Sequence, residues 1–545
     1  MKFSQQTRIG ALAGFVATAA LAGLLYLLAQ LQVLSFIPLD IAEAINHLTP
    51  GGIATEGIEA LGPLAKILVE ISGVIFFLLA GIVAGVLLAR ERAYRSTSNG
   101  LLAGLAGLFL TVLVQFFAGR FPDITTLGTT ALLLFGWGIL LVVLLRRALA
   151  EPVAPPAGTN REVMAPDRRA FLRRSGGVLL TVAVGSTAVG ELLRRAEEQR
   201  VAQLVQQAAA SGGTVPLPDA ALPAPAKVAA EPGAGAGILQ DAAFIPGAAA
   251  RPELTPADKL YIIGTTTRSP RVDASQWRLV IKGMVDRPIS LSYDDLRALP
   301  RVEQTSTLTC ISNEVGSYLI GNITWSGPRL RDLLQQAGIQ SGAVDVVLRS
   351  SSSAYSDSIP IERALNPQNL IAYGMNGMTL ATDHGFPARL IVPGIYGMKN
   401  VKWLDEIEVV GEDYQGFWEV RGWDDRAIVK TQSVIDTGNT ELQNDSRVKI
   451  EDGKVVLGGY AFAGDRGITK VEVRLDGGDW QVAQLKMPTS KLTWREWRYE
   501  WPATPGTHSM SVRATDGEGQ LQTSDLAAPH PDGASGWHTL RIDVA

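Results

Sequence analysis

The sequence predicts a multi-domain chain: an N-terminal α-helical transmembrane bundle, then a mixed α+β domain, then a C-terminal immunoglobulin-like β-sandwich. Three observations carry this. Long uncharged apolar runs are confined to the first 195 positions. From about residue 253, alternating and helical apolar spacings are interleaved, and after about Thr431 short strands are separated by Asp-Gly and Gly-Gly turns. The 545 residues are 47% apolar and 19% charged with a net charge of -4, enough to bury several cores and without the basic surplus that a nucleic-acid partner would require.

Residues 1–150 read as a four-helix transmembrane domain. Ile9 to Leu31, Gly100 to Gly119 and Leu127 to Leu145 carry no charge, and Ile67 to Ala89 is interrupted only by Glu70. Each can cross a hydrocarbon layer that takes about 20 helical residues, and none shows the polar stripe of a soluble bundle helix. Lys2, Arg8, Arg90, Arg92, Arg95, Arg146 and Arg147 fall on one side, while Asp40, Glu43, Glu56, Glu59 and Asp123 dominate the other loops, against Lys66 and Arg120. The positive-inside bias therefore places the N-terminus and the segment after helix four in the cytoplasm.

Residues 151–200 hold a cytoplasmic loop and a fifth transmembrane helix. Arg168 and Arg169, followed by Ala-Phe-Leu and a short apolar run from Ser175 to Gly190, form a twin-arginine-like motif; the same arginines also satisfy the ordinary positive-inside rule. Either way the fifth crossing puts everything after it outside. Residues 201–252 are rich in alanine, proline and glycine and read as a linker.

In the α+β domain, residues 253–430, Trp277 to Gly283 and Thr305 to Thr309 alternate as half-buried strands, and Tyr293 to Leu299 and Pro328 to Ala337 have helical spacing. Residues 431–545 supply the sandwich through VVLGGYAFAG, ITKVEVRLDGGDW, THSMSVRATDGEG and WHTLRIDVA.

Cys310 is the only cysteine in the chain. One thiol excludes an intramolecular disulfide, a Cys-x-x-Cys metal site and a four-cysteine cluster. An inert buried thiol, a nucleophile, or a single thiolate on a metal held mainly by something else remain. A nucleophile would want a histidine base, and His384, His508, His530 and His538 are the histidines of the exported part.

The order of Trp277 to Gly283, the strand ending in Cys310, TWSGPRLRDLLQQAG, YGMNGMTLATDHGFPARLIVPGIYGMKNVKWLDEIEV and GYAFAGDRGITKVEVRLDGGDWQVAQL resembles the sulfite oxidase family of molybdenum enzymes over about residues 253 to 545. The resemblance implies a sulfite-oxidase-type molybdopterin-binding domain, an oxidoreductase activity, and Mo-molybdopterin as cofactor. It makes Cys310 the one protein ligand to the metal, where a soft thiolate joins dithiolene sulfurs. It also implies cofactor-binding roles for His384, Arg389, Asn400, Val401 and Lys402, and for Thr265 and Thr266 before the first strand.

The departures bear on the substrate. Where the family continues from the cysteine as Cys-Ala-Gly-Asn-Arg-Arg, this chain reads Cys310-Ile-Ser-Asn313-Glu314-Val315. An upstream family arginine falls on Gly264, and the tyrosine near the metal-bound oxygen falls on Trp423. A pocket without those arginines should hold sulfite poorly, each lost charge-assisted contact costing roughly 1.5 to 3 kcal/mol. Trp423 and Arg421 are the candidate lining residues of a pocket for some other small molecule.

The chain has no Cys-x-x-Cys-His for haem c and no histidine in the four runs, so electrons are expected to pass to or from an external cytochrome or quinone-linked partner. The sandwich could serve a homodimer. Two other readings stay open: an exported reductase of S- or N-oxides or of protein methionine sulfoxide, and a cofactor-less binding or assembly module. The expected location is the cell membrane, multi-pass, with the catalytic domain outside.

Overall fold

The protein is described here by a computed structural model, which covers residues 4–545 except 32, 50–60, 62, 119–123, 150–167, 211–225, 228–237, 240–243, 245, 248–249, 267–268, 440–446 and 451. Lys2, Glu56, Glu59, Arg120, Asp123, the expected cytoplasmic loop and most of the expected linker lie outside the described residues. The chain divides into two compact units, Met1–Ala210 and Ser211–Ala545.

The first unit is helical: α1 (Gln5–Gln30), α2 (Ile37–Leu48), α3 (Pro63–Arg90), α4 (Thr97–Phe117), α5 (Ile124–Leu149) and α6 (Arg168–Ala210). Among the described residues five segments are long and apolar enough to cross a membrane: Gln5–Gln30, Ile67–Arg90, Thr97–Phe117, Ile124–Leu149 and Arg174–Arg195. Without side chains at the contact, α1 and α3 approach backbone to backbone; a carbon added at Gly10 would lie 2.6 Å from the Gly85 carbonyl oxygen.

Two expectations are corrected here. Asp40 and Glu43 do not sit in a plain connecting loop but on α2, where both are buried. Asp40 accepts from Ser35 at 2.5 Å and from Gln115 of α4 at 3.1 Å, so the polar groups of the turn satisfy one another. The linker also begins later than residue 201, because α6 runs on to Ala210. The stretch ELLRRAEEQRVAQLVQQAAA consists almost wholly of strong helix formers, which outweighs its likeness to a linker.

In the second unit, one sheet has the order Ile289–Ser292, Arg278–Gly283, Glu406–Val410, Asp345–Ser350, Tyr355–Pro360. Arg278–Gly283 and Glu406–Val410 pair in parallel, the rest antiparallel. Its apolar face packs with Leu330, Leu333, Leu334 and Ala337 of helix Leu330–Ala337 and with Tyr373, Leu390 and Val401. A second sheet pairs Val302–Thr309 with Ile320–Gly327, and Ile320–Gly327 with Gly374–Met375. The residues alternating inward from it, Leu308, Ile323 and Trp325, form a separate core.

Beyond Thr431 two sheets face each other. Gln432–Ile435, Val455–Phe462 and Arg495–Trp501 lie in one, Ile468–Leu475, Gly506–Asp516 and His538–Val544 in the other. Leu457, Val471, Val473, Trp497, Met510, Val512 and Ile542 fill the space between them, which is the packing of a β-sandwich.

Candidate functional site

Cys310 directly follows the strand Val302–Thr309, where the chain leaves the sheet in a tight turn. Its N–H donates to the Leu319 carbonyl at 2.9 Å, and its carbonyl accepts from Asn313 N–H at 3.1 Å. The Asn313 side-chain oxygen accepts from Leu319 N–H at 2.8 Å, so the turn is braced from within. The thiol is buried and free. Burial pushes its pKa up, and hydrogen bonds from Ser312 and the Ile311 backbone oppose this. Such a sulfur is inert until something stabilises the thiolate.

Tyr261, from the segment before the first strand, reaches the same place. Burial pushes its phenol well above the ordinary value, repulsion by Cys310 adds to that, and Arg389 opposes it. The hydroxyl therefore lies within electrostatic reach of both. Gly397 lets it in: a carbon added at Gly397 would stand 2.8 Å from the Tyr261 oxygen and 3.3 Å from the Thr309 carbonyl.

Arg389 opens the strand Arg389–Ile391 and is buried. Its guanidinium donates to the carbonyls of His384 at 3.1 Å and Asn400 at 3.2 Å and lies 5.1 Å from the Trp325 ring centroid. Nε has no acceptor, and among the described residues no carboxylate pairs with this cation. Burial drops its pKa to about 10.

His384 ends the short turn Thr382–His384 and is buried too. Burial first, then Arg389 and Lys402, drop its pKa to about 4. Gly385, at φ 106°, brings the cations together, since an added carbon would lie 2.9 Å from the Lys402 Cβ and 3.2 Å from the Arg389 Cβ. Lys402 donates to the Asp383 carbonyl at 2.9 Å. Thr266 is buried close by, for the Thr266 hydroxyl and the Lys402 ammonium stand 4.0 Å and 3.6 Å from the same point above Gly264.

His384, Arg389, Lys402, Thr266 and Cys310 are thus brought together from four separated stretches of chain. Asn400 and Val401 are adjacent, but their side chains serve the fold. Asn400 accepts from Val392 N–H at 2.7 Å and donates to the Tyr396 carbonyl at 3.1 Å. Val401 is packed in the apolar core, which leaves only its backbone for a ligand.

Trp423 is buried in the cluster that also contains Ile311, the neighbour of Cys310. It stands edge-on to Trp418 and to His530, with centroids 6.1 Å and 5.0 Å away, and its indole N–H has no acceptor. Arg421 turns instead onto Phe417, 3.8 Å from the ring centroid, with a hydrogen bond to the Phe417 carbonyl. Glu314 is exposed.

The arrangement suits an acceptor-rich, anionic ligand. Arg389 Nε, Asn313 Nδ2 and Trp423 Nε1 are buried donors without partners, and a buried guanidinium with no counter-ion is costly unless an anion meets it. Among the described residues no group of three histidine, cysteine, aspartate or glutamate side chains could hold a metal. One residue of the site, Tyr261, was not picked out in the sequence; only its burial beside Cys310 and Arg389 as electrostatic partners reveals it.

Residues 266–418 match the model for the oxidoreductase molybdopterin binding domain, and residues 426–528 that for the Mo-co oxidoreductase dimerisation domain. Human mitochondrial sulfite oxidase is 33% identical over 326 residues, covering 51% of this chain and 59% of the human protein, so the chain spans well under two thirds of that relative. Sulfite oxidase of Arabidopsis thaliana is 34% identical over 269 residues, covering 41% of this chain and 68% of the plant protein. Among solved structures, the sulfane dehydrogenase SoxCD from Paracoccus pantotrophus aligns at a TM-score of 0.49 and 23% identity, over 54% of this chain and 82% of that one.

Proposed function

The chain belongs to the sulfite oxidase family of molybdopterin-binding oxidoreductases, and from that premise we propose that it is a membrane-anchored enzyme working on the extracytoplasmic side, with Cys310 as the protein ligand to molybdenum. The observation that carries this is Arg389, a buried cation without a counter-ion among the described residues, joined through Tyr261 to the turn that holds the lone thiol. Mo-molybdopterin fits both needs: its phosphate would meet Arg389 and Lys402, and its metal would take the Cys310 thiolate. When bound, that cofactor supplies two-electron or oxygen-atom transfer.

The chain's own residues do the rest. Arg389 and Lys402 hold the anion; His384, kept neutral beside them, can accept or donate one hydrogen bond without adding charge. Thr265 and Thr266 close the cradle from the segment before the first strand. Asn313 and Trp423 offer N–H donors toward whatever is bound next to Cys310.

The substrate in this reading is not sulfite. Arginine is replaced by Glu314, Val315 and Gly264, and Arg421 is turned onto Phe417. A small dianion would find Arg389 and Lys402 occupied by the cofactor and no cation at the positions of Glu314, Val315 and Gly264. Electrons go to or come from an external carrier, and the sandwich supports a homodimer.

The test is metal analysis and turnover of protein purified from a molybdopterin-competent host. Wild type should contain molybdenum and Cys310→Ser should lose it while keeping its circular dichroism. Sulfite with an artificial acceptor should turn over far more slowly than in sulfite oxidases; comparable rates would sink the substrate assignment.

A further inference from the structure

Three segments meet at one buried ammonium that the cofactor cradle does not use. Lys399 Nζ lies 2.9 Å from Asp357 Oδ1, 2.8 Å from Glu419 Oε1 and 3.1 Å from Asp425 Oδ1. The side chains of Lys399, Asp357 and Glu419 are 1%, 0% and 1% exposed, whereas Asp425 is 41% exposed. The cluster therefore begins deep inside and ends at water.

Its inner end reaches Met398, which packs in the same cluster as Ile311, the neighbour of Cys310. The Tyr355 hydroxyl donates to Asp357 Oδ2 at 2.9 Å, with the Met398 carbonyl at the same distance. Burial raises the Tyr355 phenol well above its ordinary value; Asp357 and Glu419 add to this, and so, more weakly, does Cys310. The phenol is thus bonded to a carboxylate on one side and to the backbone of Met398, packed with Ile311, on the other.

Charge balance decides what that carboxylate does. Asp357 and Glu419 share a single buried ammonium, so Coulomb attraction can neutralise one of them and leaves the other to be protonated. Burial, opposed by Lys399 and reinforced by Glu419, accordingly raises Asp357. A salt bridge kept only for stability would need one carboxylate, not two. An apolar replacement would serve the fold as well.

We propose that Tyr355 and Asp357 form a proton relay serving the Cys310 site, with Lys399 and Asp425 joining it to solvent. This rests on the molybdopterin reading above. In the oxidising direction, substrate and water give oxidised substrate, two electrons and two protons; the electrons leave on an external one-electron carrier. For one of the protons, Lys399 gives a proton to Asp425 as it receives the one held on Asp357, and Asp425 releases its proton to water. The Tyr355 oxygen then takes a proton from the site as its own passes to the emptied Asp357 Oδ2. Reduction runs the same steps backwards.

Two measurements test this. Infrared spectra of the purified protein, with or without cofactor, should show a carboxylic acid band that titrates between about pH 5 and about pH 9 and is missing in Asp357→Asn. Reduction of loaded protein by reduced methyl viologen, which carries no protons, should draw protons from an indicator dye. In Tyr355→Phe at equal molybdenum content that uptake should slow at least about tenfold, while the infrared titration persists. Equal uptake rates in wild type and Tyr355→Phe, or no titrating band, overturn the relay. If Asp357→Asn does not fold, Tyr355→Phe, which removes one hydroxyl from a half-buried ring, still decides it. Protein without molybdenum overturns the cofactor reading itself, and the relay with it.

Discussion

Replacing Arg389 by methionine should have opposite effects on the empty and the loaded protein. A guanidinium that burial drops to about 10, well below its ordinary value, carries a burial cost of about 3 kcal/mol at neutral pH. Both values lie far above pH 7, so the group is charged in the folded and unfolded states alike and the whole cost falls on the fold. Methionine keeps the stem and removes that cost, but strands the His384 and Asn400 carbonyls that Arg389 now serves, at about 1 kcal/mol each. The empty variant should thus be more stable by about 1 kcal/mol, raising its melting temperature by about 2 °C. The loaded protein loses a charge-assisted contact worth roughly 1.5 to 3 kcal/mol, so cofactor retention should fall about tenfold to a hundredfold. Calorimetry of the cofactor-free proteins and molybdenum content after desalting check the two arms. Wild-type retention in the variant, or an empty variant less stable than wild type, would refute the reasoning.

Three further outcomes follow from other parts of the molecule. His538 accepts from Ile435 N–H at 3.0 Å, and burial, with Arg251 nearby, holds it at about 4 against an ordinary 6.5. Below pH 6.5 the unfolded chain binds a proton that the fold refuses, so stability should drop by up to about 3 kcal/mol between pH 6.5 and 4. His538→Gln should flatten that slope in denaturant titrations at several pH values. Gly316, at φ 93°, faces the His538 ring, and an added carbon would run into it. Gly316→Ala should therefore cost roughly 1 to 3 kcal/mol and loosen the turn after Cys310, read as a lower melting temperature and faster amide exchange at 311–319. Reporter fusions after Leu149 and after Ala250 should report inside and outside respectively, and the reverse pattern would overturn the orientation drawn from the charge bias.

The features legible in the sequence are those that local pattern can encode. The four apolar runs before residue 150 matched helices within a few residues, because hydropathy and length alone decide them, whereas the fifth, Ser175 to Gly190, lies inside the much longer helix Arg168–Ala210. The place of Cys310 at a strand end followed from alternation up to Thr309 and the break after it. What stayed hidden depends on contacts between distant positions. Nothing in the spacing of residues 357, 399, 419 and 425 hints that they share one cluster. Asp40 and Glu43 look like solvated loop charges until Ser35 and Gln115 are seen to serve Asp40. Asn400 and Val401 carry the family pattern, yet only the packing shows that their side chains brace the loop and the core.

The two ends of the candidate site differ in charge, and that difference narrows the chemistry. At one end the cations Arg389 and Lys402 flank a neutral His384 around a place where no described carboxylate pairs with Arg389; at the other, Glu419 and Asp425 outnumber Lys399, with Asp357 beside them. Coulomb energy favours an anion at the first end and disfavours one at the second. A cofactor phosphate satisfies the first. The second end lies beside Tyr355 and near the aromatic group of Phe417, Trp418 and Trp423, whose faces suit neutral or cationic groups. On the proposed reading a neutral sulfur or nitrogen compound meets the site better than a dianion would, and turnover with neutral S- or N-oxides compared with sulfite checks it.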